Sequence, residues 1–345
     1  MSYTSNFHQS YYRAMTPDRG HIRALRYAVQ IFFLLLSIST GYQFYEFVAQ
    51  LQARGHALMQ RPPSVDAFLP IAGLMSFKYF LFTGNIEPFH PAALVMFTAV
   101  VLVSLMMKKG FCGWICPVGT ISQAFWMAGE KIFGRNFRMQ KYADASMRSV
   151  KYIVMALFLV LIGVAMKPEM MVLFFVSDYY RIADVKTMEF FTMMSSTAFW
   201  VLLGIGALSV LYRNFWCRYL CPYGALLGLL SRFSPVKIRR NGETCTHCGS
   251  CSVNCPSLID VEKQGVVSSA ECFGCLTCLS HCPSNGALEV TAKKGKARRP
   301  FPPFLYPVVL LLLFYLVIGV GIVSGKWRSQ VPAGEYARII HDASR

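Results

Sequence analysis

Charge is what this 345-residue chain has least of. Asp, Glu, Lys and Arg together make up 15% of it, against roughly 25% in soluble domains. Acid is scarcest: 17 Asp and Glu stand against 34 Lys and Arg, for a net charge of +17. With 54% hydrophobic residues and a mean hydropathy of +0.42, the shortage excludes an ordinary soluble domain and indicates an integral membrane protein. No nucleic-acid reading motif accompanies the basic excess, and the basic residues border apolar runs. A membrane surface is therefore the expected neighbour, and no nucleic-acid partner is expected. No cleavable leader is legible. The first apolar run follows a polar, basic stretch and lacks an A-x-A-like site, so it reads as a retained signal anchor. No histidine lies inside an apolar run; His21, His56 and His90 are the nearest, which argues against haem b.

The apolar runs predict five transmembrane helices of about 20 residues each. They lie at about 27–48, 91–107, 151–167 (extending at most towards 176), 190–212 and 303–324. Pro302, Pro303 and Pro307 fall at the start of the fifth, where proline is tolerated. The stretch LPIAGLMSFKYFLFTG (69–84) is short and carries Lys78, so an interfacial or re-entrant helix is preferred to a span. With a cytoplasmic N-terminus, 24 Lys and Arg fall inside and ten outside, whereas acidic residues divide eight and nine. The positive-inside rule then puts the C-terminus outside. Residues 120–147 mix aromatic and basic side chains and suggest a basic amphipathic helix on the inner leaflet.

Cysteine is present in a pattern with no member left over. Twelve cysteines fill two C-x3-C-P units and two C-x2-C-x2-C-x3-C-P runs. Disulfide scaffolds are small and secreted, so these look like metal ligands. The longer runs are CTHCGSCSVNCP (245–256) and CFGCLTCLSHCP (272–283). In such runs three closely spaced cysteines wrap one cube and the fourth serves the other. The first [4Fe–4S] cluster is accordingly expected on Cys245, Cys248, Cys251 and Cys282. The second is expected on Cys272, Cys275, Cys278 and Cys255. Four-cysteine zinc sites show two C-x2-C pairs with a spacer, a different pattern. His247 and His281 lie between ligands and read as solvated loop residues. Lys237, Arg239 and Arg240 lead into this segment, and Lys293, Lys294, Lys296, Arg298 and Arg299 leave it. They suit an acidic partner, anionic lipid or topology alone.

The shorter units, FCGWICPVG and WCRYLCPYG, form an internal repeat. Cys112, Cys116, Pro117 and Gly119 recur 105 residues on as Cys217, Cys221, Pro222 and Gly224. If each unit is helical, the paired cysteines share a face. Positive charge from Lys108, Lys109, Arg213 and Arg218 would favour their thiolates, and the prolines would free carbonyls one turn back. The preferred reading is a third iron–sulfur site on Cys112, Cys116, Cys217 and Cys221. Buried packing cysteines and a thiol pair reactive towards quinone or metal stay open.

Over residues 85–290 this order of parts resembles the NapH/NosR-type membrane ferredoxins, carried by FCGWICPVG, WCRYLCPYG and the double ferredoxin run. RPPSVDAFLP (61–70) and HPAALV (90–95) are similar to relatives in the same group. The resemblance implies an electron-transfer subunit working between the quinone pool and cytochrome or ferredoxin-type partners, among them multihaem cytochromes c. The flavin-binding domain that precedes the spans in NosR-like proteins has no counterpart here. The expected fold class is an all-α polytopic membrane protein with an inserted small α+β two-cluster ferredoxin domain.

Its expected parts are a cytoplasmic segment (1–26), a four-span membrane domain (27–235), a cytoplasmic ferredoxin domain (236–299), a fifth helix (300–325) and an external tail (326–345). The expected location is the bacterial inner membrane. Glu87 and His90, at the outer end of the second span, are candidates for accepting protons from a quinol; capping and interfacial roles are the alternatives. Asp178, Tyr179, Tyr180 and Arg181 read as an interfacial belt. The seventeen methionines read as span packing. No catalytic residue is expected. The rival functional class is a maturation factor or metal reductase like CcoG, or a redox sensor, though no output domain is legible.

Overall fold

A computed structural model describes residues 19–294 and 297–343 of the chain, with the side chains of 293–299 outside the described set. Most of the N-terminal segment and the basic exit at Lys293, Lys294, Lys296, Arg298 and Arg299 therefore lie beyond structural comment. The rest is mostly helical, and its contacts divide it into two compact units. One comprises residues up to 34 together with 101–152 and 205–313; the other comprises 35–100, 153–204 and 314 onward.

Among the described residues, three helices are long and apolar enough to cross a membrane: Gly20–Arg54, Lys141–Ala165 and Leu305–Val323. A fourth is added if the pair Ala183–Thr192 and Ser196–Leu211, bent by 78°, counts as one span. The bend falls where Ser195 Oγ accepts the Ala198 N–H at 3.2 Å and starts a new helix. The second predicted span is helix Pro91–Met106. Its 16 residues reach about 24 Å, less than the roughly 30 Å hydrocarbon core. The 69–84 stretch forms the shorter helix Pro70–Thr83, ended by Gly84 at φ 71°. The predicted amphipathic helix over 120–147 is two helices. Pro117–Phe133 stops at Gly134, whose φ of 69° is left-handed, and a new helix starts at Lys141.

The first unit contains the cysteine-rich segment. Its small sheet runs β1 (Val236–Arg240), β2 (Leu288–Lys294) and β3 (Ala297–Phe301), all antiparallel in that order. Ile238 lies opposite Val290, and Val290 opposite Phe301. Between β1 and β2 the two cysteine runs form loops with one helical turn each, Ser250–Val253 and Thr277–Ser280. Helix Pro117–Phe133 approaches the end of Ser196–Leu211 closely, since a Cβ on Gly129 would lie 1.8 Å from the Val210 carbonyl.

The second unit has two apolar clusters. One gathers Leu69, Ala72, Met75, Ala93, Ile162, Met171, Phe175 and Tyr180. Lys78 is explained here: its Nζ donates to the carbonyls of Ile162, at 2.9 Å, and Met166, where a π-helical turn leaves them unpaired. The other cluster joins Phe44, Phe47, Val48 and Leu51 to Ile182 and Val185. The expected external tail is not loose within the described residues. Helix Ala333–Ala343 buries Tyr336, Ile339 and Ile340 in that second cluster, and Arg181 pairs with Glu335 at 2.5 Å.

Candidate functional site

The ferredoxin loops are built for close approach of backbone to a central group. Gly249 and Gly274 have φ of 69° and 60°, and His247 and Leu276 adopt positive φ as well. Such angles turn each loop inward, and glycine adopts them without cost. Cys245, Cys248, Cys251 and Cys282 line one hollow, bordered by Gly249 and Glu262. Cys255, Cys272, Cys275 and Cys278 form a second group. Burial, then negative charge on Cys275 and Cys272, pushes the Cys255 thiol up to about 12. Burial and the charges of Cys275, Cys255 and Cys272 likewise raise Cys278. Thr277 donates its hydroxyl to Cys275 Sγ at 3.3 Å, the kind of contact that tunes a cluster's potential.

The two intervening histidines differ. His247 is exposed, with Nδ1 3.4 Å from Glu262. His281 donates from Nδ1 to the Thr277 carbonyl at 2.9 Å, which leaves Nε2 to accept from Arg23 at 3.1 Å.

The two C-x3-C-P units do not continue as single helices. The first runs as a short helix, Gly110–Trp114, and the second as a π-helical stretch, Trp216–Leu220. Cys116 and Cys221 are extended residues (ψ 120° and 105°), and Pro117 and Pro222 each begin a new helix. The continuous helices on which the same-face argument rested are thereby corrected: each is broken at an extended cysteine, Cys116 or Cys221. Nor is the carbonyl freed by Pro117 open. Gly113 O accepts from Arg26 Nε and Gln30 Nε2, both at 3.1 Å.

A small residue is required at the first of these turns. A Cβ on Gly119 would lie 2.5 Å from the Cys112 carbonyl. Gly224 donates its N–H to Cys221 Sγ at 3.2 Å.

The fold brings the two units of the repeat together. Burial is the main cause raising the Cys112, Cys116 and Cys217 thiols, with Cys116 at about 11; the other cysteines of the set add to it. Tyr223 lies half-buried beside Cys112, Cys116 and Cys221, a neighbour with no sequence signal beyond its adjacency to the motif. This third set also abuts the second. A Cβ on Gly113 would meet the Phe273 carbonyl at 2.9 Å and Cys275 Cβ at 3.6 Å, and Trp114 Nε1 donates to the Gly274 carbonyl at 3.0 Å.

The surrounding charges are redistributed relative to expectation. Arg218 turns to Asp144 at 2.9 Å, and Arg213 to Glu130 at 2.9 Å. Lys108 donates to the Ser269 carbonyl at 3.1 Å. Lys109 is the predicted cation that stays by the thiolates. Lys151 and Glu271, which were not singled out in the sequence, form a buried pair at 2.7 Å beside them. Four thiols facing one another in each set, with cationic groups near two of the sets, suit an anionic cubane cluster.

Glu87 and His90 lie elsewhere, in the second unit, buried at 2% and 1% exposed. Glu87 accepts the N–H groups of Phe89 and His90 at 2.8 and 2.9 Å and the Tyr180 hydroxyl at 3.2 Å. Tyr180 is therefore interior, which corrects its place in an interfacial belt. His90 Nε2 must donate to the Tyr180 carbonyl at 2.8 Å, and Nδ1 faces Asp66 at 3.0 Å. Asp66, His90 and Asp184 converge as metal ligands would. The cation among them is Arg61, which pairs with Asp66 and, at 2.6 Å, with Asp184; Tyr336 donates to Asp184 at 2.5 Å.

Burial alone would lower His90, but Asp66 and Asp184 outweigh burial and the opposing Arg61 and bring it to about 9. Glu87, raised by burial, and Asp66, held low mainly by Arg61 and His90 against its burial, are the other titrating groups facing it. A raised histidine stabilises the fold fully below its unfolded value near 6.5, and the stabilisation is lost as pH rises through about 9. Thermal midpoints of the detergent-solubilised chain should fall across that window, by on the order of 2–3 kcal/mol in stability, and His90→Gln should flatten the fall. A wild-type profile that stays flat there would refute the assignment.

Comparisons with known proteins follow the same division of the chain. A family described as a 4Fe-4S binding domain matches residues 89–139 and 195–241, which hold the two C-x3-C-P units. One described as a 4Fe-4S dicluster domain matches 237–289. The chain is 38% identical over 322 residues to the "Putative electron transport protein YccM" of Escherichia coli (strain K12), covering 92% of this chain and 90% of that one. It is 27% identical over 225 residues to the regulatory protein NosR of Stutzerimonas stutzeri, covering 63% of this chain and 30% of NosR. It is 24% identical over 226 residues to the ferredoxin-type protein NapH of Escherichia coli (strain K12), covering 59% and 70%. No solved structure matches. The chain thus belongs to the NapH/NosR-type 4Fe-4S ferredoxin family, as a membrane protein of electron transport.

Proposed function

We propose that this protein passes electrons between the quinone pool and a cytochrome or ferredoxin-type partner, as a subunit of a respiratory redox complex in the bacterial inner membrane. Bound cubane clusters supply one-electron transfer. In this reading Cys245, Cys248, Cys251 and Cys282 hold one cluster. Cys272, Cys275, Cys278 and Cys255 hold the second, and Cys112, Cys116, Cys217 and Cys221 a third.

The observation that carries the reading is the close contact of Gly113, next to Cys112, with Phe273 and Cys275, where an added Cβ would meet the Phe273 carbonyl at 2.9 Å and Cys275 Cβ at 3.6 Å. Arg26 adds a brace by bonding Gly113 O and Thr277 Oγ1, at 3.1 and 3.0 Å. Glu87, a buried carboxylate raised by its burial, is the proposed proton acceptor from a quinol, and His90, whose backbone N–H it accepts at 2.9 Å, stands beside it. The charge bias supports five crossings, with the ferredoxin segment cytoplasmic and the C-terminus external.

The test is anaerobic mixing of the purified full chain with a short-chain quinol, then EPR. Cubane signals should appear on quinol reduction. Signals produced by dithionite but not by quinol would remove the quinone from the reading. Their absence under both would remove electron transfer itself.

A further inference from the structure

Lys109 is a charged side chain in a place that costs free energy. It caps the start of helix Gly110–Trp114, three residues before Cys112, yet its side chain is only 1% exposed. Its Nζ has no hydrogen-bond acceptor among the described residues. A buried ammonium without acceptors is heavily penalised. Glu271 does not resolve this. Its two oxygens already take Lys151 Nζ at 2.7 and 2.8 Å and the Tyr152 hydroxyl at 3.1 Å, and they leave Lys109 at 3.8 Å.

The walls around Nζ are the Phe273 ring, whose centroid is 5.1 Å away, and the backbone at Gly228. A side chain at Gly228 would intrude, since its Cβ would lie 3.6 Å from Nζ and 2.8 Å from the Ala270 carbonyl. The chain thus keeps a pocket for an ammonium and aims it away from solvent. Its charge reaches two cysteine sets at once. Lys109 stands three residues before Cys112, and its Nζ lies over the ring of Phe273, the residue that follows Cys272.

We infer that Lys109 is a positioning residue for electron transfer, a shared counter-charge that raises the reduction potentials of the clusters on Cys112, Cys116, Cys217 and Cys221 and on Cys255, Cys272, Cys275 and Cys278. The inference rests on the three-cluster reading above. An oxidised cube with four thiolates is already anionic, and reduction adds a further negative charge. A cation held close in a low dielectric stabilises the reduced form more than the oxidised one. One ammonium between two clusters lifts both potentials together and keeps the step between them small. Glu271 has the opposite sign and lowers both.

The experiment is an EPR-monitored redox titration of the anaerobically purified full chain as wild type, Lys109→Met and Glu271→Gln, each with iron counted first. Lys109→Met keeps the aliphatic stem and removes the charge. It should move two midpoint potentials to more negative values and leave the cluster on Cys245, Cys248, Cys251 and Cys282 in place. Glu271→Gln should move the same two in the positive direction. If Lys109→Met does not load its clusters, the positive shift in Glu271→Gln carries the result alone. Three clusters with no potential moved in either loaded variant would overturn the role of Lys109 and leave the three-cluster reading standing. A wild-type chain with only two clusters would overturn that reading, and the iron count reveals this before any variant is compared.

Discussion

Wild-type protein purified without oxygen is expected to carry about twelve irons per chain, and Cys217→Ser about eight. The argument rests on the convergence of Cys112 and Cys116 with Cys217 and Cys221, which influence one another's ionisation in a buried site. As free thiols they are neutral and merely pack. Ionising all four without a metal would set like charges together in the interior, which burial opposes. Iron reverses that balance because thiolate is its ligand. Cys112→Ser should lose the same irons as Cys217→Ser, since both remove one corner of one site. Cys248→Ser should instead lose irons from the ferredoxin segment and keep those of the repeat. A wild-type count near eight, unchanged by Cys217→Ser, would leave the repeat cysteines as packing residues only.

Arg61→Met should destabilise the chain by about 3–5 kcal/mol, because it leaves two buried carboxylates without their cation. Arg61 is 10% exposed in its side chain, and its partners Asp66 and Asp184 are 0% exposed. Asp66 Oδ2 has no hydrogen-bond partner of its own among the described residues, and His90, 3.0 Å from Oδ1, would be the cation left beside it. Arg61→Lys should recover only part of the loss. Lysine keeps the charge but cannot bond two carboxylates along the edges of one planar fork. Thermal unfolding in detergent, compared with a substitution at exposed Arg239, measures this. A loss below about 1 kcal/mol would show that the cluster is solvated in the native membrane protein, as surface pairs are.

The ferredoxin segment was legible because its information is local. Cysteines spaced two residues apart must sit on one tight loop, and the glycines between them supply the backbone angles such a loop needs. The apolar helices were legible for a similar reason, since hydropathy is summed over neighbours along the chain. Their ends were less so. The 16-residue length of Pro91–Met106 and the break before Ser196 follow from capping contacts that an apolar run does not reveal. The i, i+4 spacing of the repeat cysteines suggested continuous helices. The proline after each pair instead starts a new helix, with an extended residue, Cys116 or Cys221, at the break.

By itself, the sequence determined the membrane class, the two ferredoxin loops and the existence of a repeat. Only the tertiary structure decided which charges are inside. In the sequence Lys109 read as a charge beside the repeat cysteines, Lys151 as the start of an apolar run and Lys78 as a charge within the short stretch 69–84. Arg61 and Asp66 lay in a stretch noted only for its likeness to relatives, His90 was a candidate proton acceptor, and Asp184 was not singled out. A buried charge is tolerated when a partner from a distant segment reaches it at bonding distance, and the cost of leaving it unpaired is several kcal/mol. That partner is a property of the folded contacts, so Lys151 with Glu271, 120 residues apart, became a pair only on folding.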